Sequence, residues 1–88
     1  MLLAGVEPEA PPLLRLDARG HRCPVPTLRL RQALTALQAG QEIELLADDP
    51  MARIDVPHFL REAGHSLVET APEGPAWRFR VRKGETPA

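Results

Sequence analysis

An alternation between two hydrophobic periods is the feature of this 88-residue sequence that most restricts its fold. Apolar residues at every second position predict four strands, over residues 13–17, 42–47, 67–70 and 77–82. Apolar residues at spacings of three and four predict two helices, over residues 23–39 and 50–63. The predicted order of elements is therefore βαβαββ.

This order predicts an α+β fold built as a two-layer α/β sandwich. A strand, a helix and a second strand imply a parallel first pair, whereas the closing hairpin must be antiparallel, so the four-stranded sheet is mixed. The alternating strands have one apolar face, and we expect both helices to cover it. Gly40 and Gly64 are predicted to end the helices as left-handed caps. Pro57 predicts a kink or a restart of the second helix, with Asp55 capping the restart.

Composition limits the chain to one small domain. Hydrophobic residues make up 43% of the sequence, which is enough for a single modest core. Residues 1–12 are rich in proline and predict a flexible leader, and residues 85–88 predict a flexible tail. The net charge of -1 argues against nucleic-acid binding through overall positive charge. No apolar run is long enough for a membrane span and the opening residues do not resemble a secretory signal, so we expect a cytoplasmic protein.

The sequence contains one cysteine, Cys23. A single thiol excludes an internal disulfide and any zinc site built from several thiolates, and the three histidines are too scattered to predict a metal site. No metal or bound cofactor is expected. Such a cysteine either fills space in the core or carries chemistry.

The residues around Cys23 favour chemistry. If Cys23 is the N-cap of the first helix, Pro24 takes the first helical position, where a proline is well tolerated, and Pro26 is also acceptable. The two prolines are expected to stiffen the turn and to hold the sulfur outward. The amide of Val25, joined by Thr27, is then the natural donor to the sulfur.

A useful nucleophile needs more thiolate than the roughly 3% that an ordinary cysteine carries at pH 7. A helix N-terminus alone lowers a pKa by less than about one unit. Five arginines and one aspartate lie between Arg15 and Arg31. We therefore hypothesise a positive rim that lowers the pKa of Cys23, with Arg19, Arg22 and His21 as its nearest members. A thiol pKa above about 8.5 would contradict this hypothesis.

Several short motifs, in one order, give the chain a family resemblance. They are the LDARGHRCPVP run around Cys23, ADDP from Ala47 to Pro50, DVPHF from Asp55 to Phe59, GHSL from Gly64 to Leu67, and the closing FRVRKG. This set resembles the TusA/SirA family of sulfur-carrier proteins, and the resemblance defines residues 13–84 as a TusA-like domain. It implies a βαβαββ fold and a cysteine that takes sulfur from a cysteine desulfurase or a rhodanese as a covalent persulfide.

The resemblance also assigns roles to individual residues. It makes Cys23 the persulfide site, Pro24 and Pro26 its scaffold, Arg31 a docking cation and Asp49 an acidic contact during delivery. Arg22 and Leu28 join these as candidate partner-binding residues, Leu28 because helical spacing predicts an exposed apolar side chain about one turn from the sulfur. The protein would act as a monomeric shuttle between a donor and a downstream sulfur-relay protein, more a covalent intermediate than an enzyme with its own turnover.

Other functions remain open at the level of the sequence. Carriers of this kind serve tRNA thiolation, sulfur oxidation or cofactor assembly, and the sequence does not choose among these pathways. An RNA-binding or regulatory module is the alternative, suggested by Arg78, Arg80 and Arg82 on the last strand. Salt-dependent RNA binding that survives Cys23→Ser would favour it. A redox-sensing cysteine is a further possibility, although the chain has no second cysteine to resolve it.

Overall fold

The computed structural model describes residues 14–85, and both the predicted leader (1–12) and residues 86–88 of the predicted tail lie outside the described residues. Six elements follow one another in the predicted order. They are β1 (Leu14–Asp17), α1 (Val25–Leu34), β2 (Glu42–Ala47), α2 (Ala52–Ala63), β3 (Ser66–Glu73) and β4 (Ala76–Arg82).

The four strands form one mixed sheet in the order β1, β2, β4, β3. β1 pairs parallel to β2, with Leu16 opposite Leu45, and α1 makes the crossover between them. β4 lies between β2 and β3 and is antiparallel to both, with Phe79 opposite Leu45 on one side and Thr70 on the other. The predicted βαβαββ order, mixed sheet and α+β class are confirmed.

Both helices pack against one face of this sheet. Its central strands supply Ile43, Leu45, Phe79 and Val81, which belong to a single buried cluster with residues of both helices. Leu30 of α1 and Val56 and Leu60 of α2 are among the buried helical members, and their spacing gives each helix one apolar face. Trp77, on the same strand as Phe79, is only half-buried, and the Arg53 guanidinium lies 4.0 Å from the centre of its ring.

The opposite face of the sheet carries charged side chains, and we call it the ionic face. Its arginines pair with glutamates of neighbouring strands: Glu42 binds both Arg80 and Arg82, and Glu73 binds both Arg15 and Arg78. The ionic face consists of Arg15, Glu42, Glu44, Glu73, Arg78, Arg80 and Arg82. The arginines that the sequence offered for RNA binding are therefore already engaged by carboxylates.

The prediction for the end of the first helix was wrong. α1 ends at Leu34, six residues before Gly40, because the chain from Thr35 turns more tightly. Thr35 donates both its amide and its hydroxyl to the carbonyl of Gln32, at 3.2 and 2.7 Å, and Leu37 bonds back to Leu34. Gly40 does have the left-handed backbone that was predicted, with φ of 90°, but it lies in the following turn.

The second helix does not restart at Pro57. α2 is one helix from Ala52 to Ala63, and it ends as predicted at Gly64, whose φ is 85°. A proline at this place leaves only one carbonyl of the preceding turn, that of Arg53, without its helical donor. Asp55 lies in the first turn and caps no restart, so its predicted role is corrected.

Residues 83 and 84, which follow β4, form hydrogen bonds to the C-terminal end of α1 and to His65. The Lys83 ammonium donates to the carbonyls of Leu34 and Leu37, at 2.6 and 3.0 Å, at and just beyond the last residue of α1. The amide of Gly84 donates to Nδ1 of His65 at 2.9 Å. Burial lowers the pKa of His65, which favours the neutral ring that this acceptor role needs.

Candidate functional site

Cys23 lies in the connection between β1 and α1, where the chain turns into the helix. Pro24 is the N-cap of α1, so the prediction that Cys23 would be the cap was wrong by one residue. The amide of Val25 donates to the carbonyl of Arg22 at 2.9 Å, which closes a tight turn around Cys23 and Pro24. This amide is therefore not available to the sulfur, contrary to the prediction. Pro26 is buried and anchors the start of the helix in the core.

The thiol of Cys23 is partly exposed and also packs against the hydrophobic core. The expectation that the prolines hold it fully outward is thus only half right. Cys23 as a whole is half-buried, so it is neither enclosed in the core nor fully exposed.

Asp49 joins the loop after β2 to the loop that carries Cys23. One carboxylate oxygen accepts the Cys23 amide at 2.7 Å, and the other accepts the Met51 amide at 3.2 Å. In parallel, Asp48 accepts the amide of Gly20 at 3.0 Å. Because β1 and β2 are parallel, their carboxyl ends lie at the same edge of the sheet. The hydrogen bonds of Asp48 and Asp49 connect the two loops at this edge.

Two further side chains face the thiol. The carboxylate of Asp55, in the first turn of α2, and the hydroxyl of Thr27, in the first turn of α1, both act on the pKa of the sulfur. The Thr27 hydroxyl oxygen is buried and has no hydrogen-bond partner among the described residues. We call Cys23, Thr27, Asp49 and Asp55 the sulfur corner.

The electrostatics of the sulfur corner contradict the predicted positive rim. Burial, and after it the carboxylates of Asp55 and Asp49, raise the pKa of the Cys23 thiol to about 11, whereas the Thr27 hydroxyl lowers it. A helix N-terminus changes a pKa by less than about one unit, so it cannot offset burial beside two carboxylates. At pH 7 such a thiol carries roughly one thiolate in ten thousand molecules.

The arginines of the predicted rim point elsewhere. Arg19 forms a two-pronged ion pair with Asp17, at 2.8 and 2.7 Å, and so does not reach the sulfur. The charge of Arg22 acts on Asp49 and helps to lower the pKa of that carboxyl, after the hydrogen bonds from the Cys23 and Met51 amides. The nearest cation therefore supports the carboxylate that holds the Cys23 backbone.

The candidate partner-binding residues lie around this corner on the surface. Arg22 and Arg31 are exposed, and Leu28 is 51% exposed on the outer side of α1, as its spacing predicted. Met51 and Ile54, at the start of α2, are also exposed apolar side chains. The structure thus brings Cys23 and Asp49 into contact, while Leu28 and Arg31 lie on the open surface of the neighbouring helix.

The sequence analysis did not predict that Asp55 affects the thiol, and it named Thr27 only as a donor that joins the Val25 amide. Asp55 was taken as a helix cap because it precedes Pro57 by two residues. The parallel pairing of β1 and β2 was a usable signal, because it predicts that the first turns of α1 and α2 begin at one edge of the sheet. That placement brings the first-turn residues Thr27 and Asp55 toward Cys23.

The described residues contain no group of three or more histidine, cysteine or acidic side chains that could hold a metal. Between residues 14 and 85 no helix is long and apolar enough to cross a membrane.

Comparisons with known proteins agree on the family. The family model for "Sulfurtransferase TusA" matches residues 14–83. A protein of Archaeoglobus fulgidus named "Putative sulfur carrier protein" is 37% identical over 68 residues, which cover 77% of this chain and 93% of the relative. The "Putative sulfur carrier protein YrkI" of Bacillus subtilis is 38% identical over 69 residues, covering 78% of this chain and 92% of the relative.

A solved structure supports the same conclusion. The crystal structure of a SirA-like protein from Desulfitobacterium hafniense superposes with a TM-score of 0.72 at 25% identity, covering 83% of this chain and all of that one. The matched region contains the sulfur corner and every element of the fold. With its βαβαββ sheet, its single cysteine between β1 and α1 and these relatives, the chain belongs to the TusA family of sulfur carriers.

Proposed function

We propose that this protein accepts a sulfane sulfur on Cys23 as a persulfide and passes it to a partner protein. The observation that carries the proposal is the position of the only cysteine, whose partly exposed thiol lies at the meeting point of two helix N-termini in a sulfur-carrier fold. A partner's reactive sulfur can approach this thiol from the surface, which transfer between two proteins requires.

The transfer needs no oxidant and no resident cofactor. Cys23 attacks the outer sulfur of a donor persulfide and forms a new S–S bond as its own S–H proton leaves. The S–S bond of the donor breaks, and its electron pair stays with the donor cysteine, which takes up a proton. A second transfer of the same kind moves the outer sulfur to an acceptor thiol and returns Cys23 to its starting state.

The proposed partners are a cysteine desulfurase or a rhodanese as donor and a sulfur-relay protein as acceptor. We propose that Arg22, Leu28, Arg31 and Asp49 form the docking surface. Asp49 binds the Cys23 amide, Arg22 precedes Cys23, and Leu28 and Arg31 are exposed on α1. Direct RNA binding is not part of the proposal, since the arginines of the ionic face are paired with glutamates. A monomer in the cytoplasm fits a lone thiol that must stay reduced and serve partners in turn.

Mass spectrometry tests the proposal directly. The protein is incubated with a cysteine desulfurase and cysteine, or with a rhodanese and thiosulfate, and we expect one adduct of about 32 Da that a reducing thiol removes. Peptide mapping should place the adduct on Cys23. Cys23→Ser is the control and should gain no mass under the same conditions. A wild-type protein that gains no sulfur from either donor would refute the carrier function.

A further inference from the structure

We propose that Asp49 is a positioning residue for Cys23, whose carboxylate fixes the backbone of the cysteine so that the sulfur is oriented for transfer. The inference rests on the proposed function, because it concerns the rate at which Cys23 takes up sulfur. It gives Asp49 a role inside the carrier, in addition to its place on the proposed docking surface.

The loop that carries Cys23, residues 18–24, joins β1 to α1 and is bonded to side chains of the loop that follows β2. The amide of Ala18 still continues the pairing of the two strands, and it donates to a carbonyl of β2 at 2.8 Å. Farther along, the Cys23 amide donates to Asp49 at 2.7 Å, whereas the His21 amide donates within the loop at the longer distance of 3.3 Å. A side chain from a different loop therefore fixes the backbone of the reactive residue.

Asp49 can hold this position because it is itself held at the start of α2. Its second carboxylate oxygen accepts the Met51 amide at 3.2 Å, and its main-chain carbonyl accepts the amide of Ala52, the first residue of α2, at 2.9 Å. A side chain that hydrogen bonds lock against a regular element is placed more precisely than one on an unsupported loop. The start of α2 therefore holds Asp49, and Asp49 holds Cys23.

The two amides that the Asp49 side chain accepts require an ionised carboxylate. A carboxylate offers an acceptor on each oxygen, whereas a carboxamide offers one oxygen and an NH₂ group that is itself a donor. The hydrogen bond from the Cys23 amide is the first cause of the lowered pKa of Asp49, and the bond from the Met51 amide is the second, so the carboxyl is ionised at neutral pH. Hydrogen bonds to an ionised acceptor are roughly twice as strong as neutral ones.

The orientation of Cys23 matters more for transfer between two proteins than for reaction with a small molecule. In transfer, the Cys23 sulfur attacks the outer sulfur of the donor in line with the S–S bond that breaks, and a docked protein presents this bond from one direction. A displacement of about 1 Å can cost roughly a hundredfold in rate. A small alkylating reagent diffuses to the sulfur in many orientations and does not need the cysteine to be held in one of them.

The test measures how fast Asp49→Asn takes up sulfur from a cysteine desulfurase at a series of desulfurase concentrations, by mass spectrometry of quenched samples. In this variant only one of the two amides keeps an acceptor. We expect the maximal rate to fall by about tenfold or more, while the desulfurase concentration at half-maximal rate stays within about twofold of wild type. A residue that acted only as a docking contact would instead raise that concentration and leave the maximal rate unchanged.

Alkylation of Cys23 by iodoacetamide separates positioning from electrostatics. Burial, and after it the carboxylates of Asp55 and Asp49, raise the pKa of the thiol, so loss of the Asp49 charge alone would make the sulfur more reactive toward every electrophile. We therefore expect Asp49→Asn to be alkylated at least as fast as wild type at pH 7 and yet to take up sulfur more slowly. Changes of opposite sign cannot both come from the charge.

Asp48→Asn is the matched control, because it removes the same charge one residue earlier. Within residues 14–85, Asp48 accepts one amide, that of Gly20 at 3.0 Å, and a carboxamide oxygen can keep this bond. Its sulfur uptake should match that of wild type. Far-UV circular dichroism confirms the fold of each variant, and Asp49→Ala serves as a second variant if Asp49→Asn does not fold. An unchanged maximal rate in a folded Asp49 variant would overturn the inference.

Hydrogen exchange of the Cys23 amide, followed by NMR, separates this inference from the proposed function. We expect this amide to exchange about tenfold faster or more in Asp49→Asn than in wild type. If it does so and wild type gains no sulfur, the role of Asp49 in holding Cys23 stands and the carrier function fails. If wild type loads sulfur, but neither the exchange nor the maximal rate changes in the variant, the carrier function stands and the role of Asp49 is refuted.

Discussion

The ionic face and the sulfur corner use carboxylates in opposite ways. On the ionic face, Glu42 and Glu73 each bind two arginines, and the charge of every pair is largely cancelled. In the sulfur corner, Asp49 and Asp55 have no ion pair within residues 14–85, and burial together with the charges of these carboxylates raises the pKa of the thiol. The first arrangement supports the sheet, whereas the second sets the reactivity of one atom.

This difference separates carboxylates that serve the stability of the sheet from carboxylates that affect the reactivity of the thiol. Ion pairs on a protein surface add only modestly to the free energy of unfolding. An unneutralised carboxylate beside a half-buried thiol costs stability, and such arrangements are typical of functional sites. Variants that remove one charge at a time should therefore separate two readouts, the free energy of unfolding and the rate of thiol alkylation.

The largest loss of stability is expected for Lys83→Met, which removes a cation but keeps most of its apolar stem. The Lys83 ammonium donates to two carbonyls at the end of α1, and hydrogen bonds to charged groups contribute about 1.5–3 kcal/mol. We expect the free energy of unfolding, measured with urea, to fall by about 2 kcal/mol and Tm by roughly 10 °C.

The same variant should leave the alkylation rate of Cys23 unchanged. Lys83 contacts the C-terminal end of α1, about 15 Å along the axis from the sulfur corner. A changed alkylation rate in folded Lys83→Met would show that the two readouts are coupled. The comparison between the two regions would then be wrong.

Much of the fold could be predicted because it depends on local patterns. Alternating residues such as Phe79 and Arg80 assign each strand its two faces, and a glycine such as Gly64 ends a helix because its backbone must be left-handed. The end of α1 was missed because it is decided by tertiary contacts. Lys83, which is distant in sequence, donates hydrogen bonds to two carbonyls that would accept backbone amides in a longer helix.

The site was predicted in part for the same reason. Cys23, Pro24 and Pro26 lie close together in the sequence, so the thiol and the start of its helix could be predicted from local residues alone. The charge around the sulfur could not, because proximity in sequence favoured Arg19 and Arg22, whereas proximity in space favours Asp49 and Asp55. Those aspartates reach the thiol through the pairing of β1 with β2.

An intermediate effect on stability is expected for Glu42→Gln on the ionic face. The variant removes the partner of both Arg80 and Arg82, whose nitrogens lie 2.9 Å from its oxygens, and exposed pairs of this kind contribute up to about 1 kcal/mol. The two arginines lower the pKa of Glu42, so the folded state binds its proton less readily than the unfolded state does. The contribution is then present above the unfolded pKa of about 4.3 and is lost as the pH falls through the folded value.

Urea denaturation at pH 7 and at pH 3 checks this sign. The stability difference between wild type and Glu42→Gln should shrink at pH 3, because the Glu42 carboxyl then binds a proton in the unfolded wild-type chain more readily than in the folded one. Alkylation of Cys23 should be the same in both proteins at pH 7. A difference that grows at pH 3 would contradict the role given to the arginine pairs.

The smallest effect is expected for Thr27→Val in the sulfur corner. The Thr27 hydroxyl favours the thiolate, so its loss should raise the thiol pKa and slow alkylation by roughly two- to threefold. The hydroxyl oxygen is buried without a hydrogen-bond partner in the described part of the chain, so its removal also relieves a desolvation cost. Valine should therefore keep or raise the free energy of unfolding, by up to about 1 kcal/mol.

Slower alkylation in a protein of equal or greater stability would show that reactivity and stability are set separately in this corner. Faster alkylation would mean that the hydroxyl does not support the thiolate, and that burial and the two carboxylates alone determine the state of the sulfur.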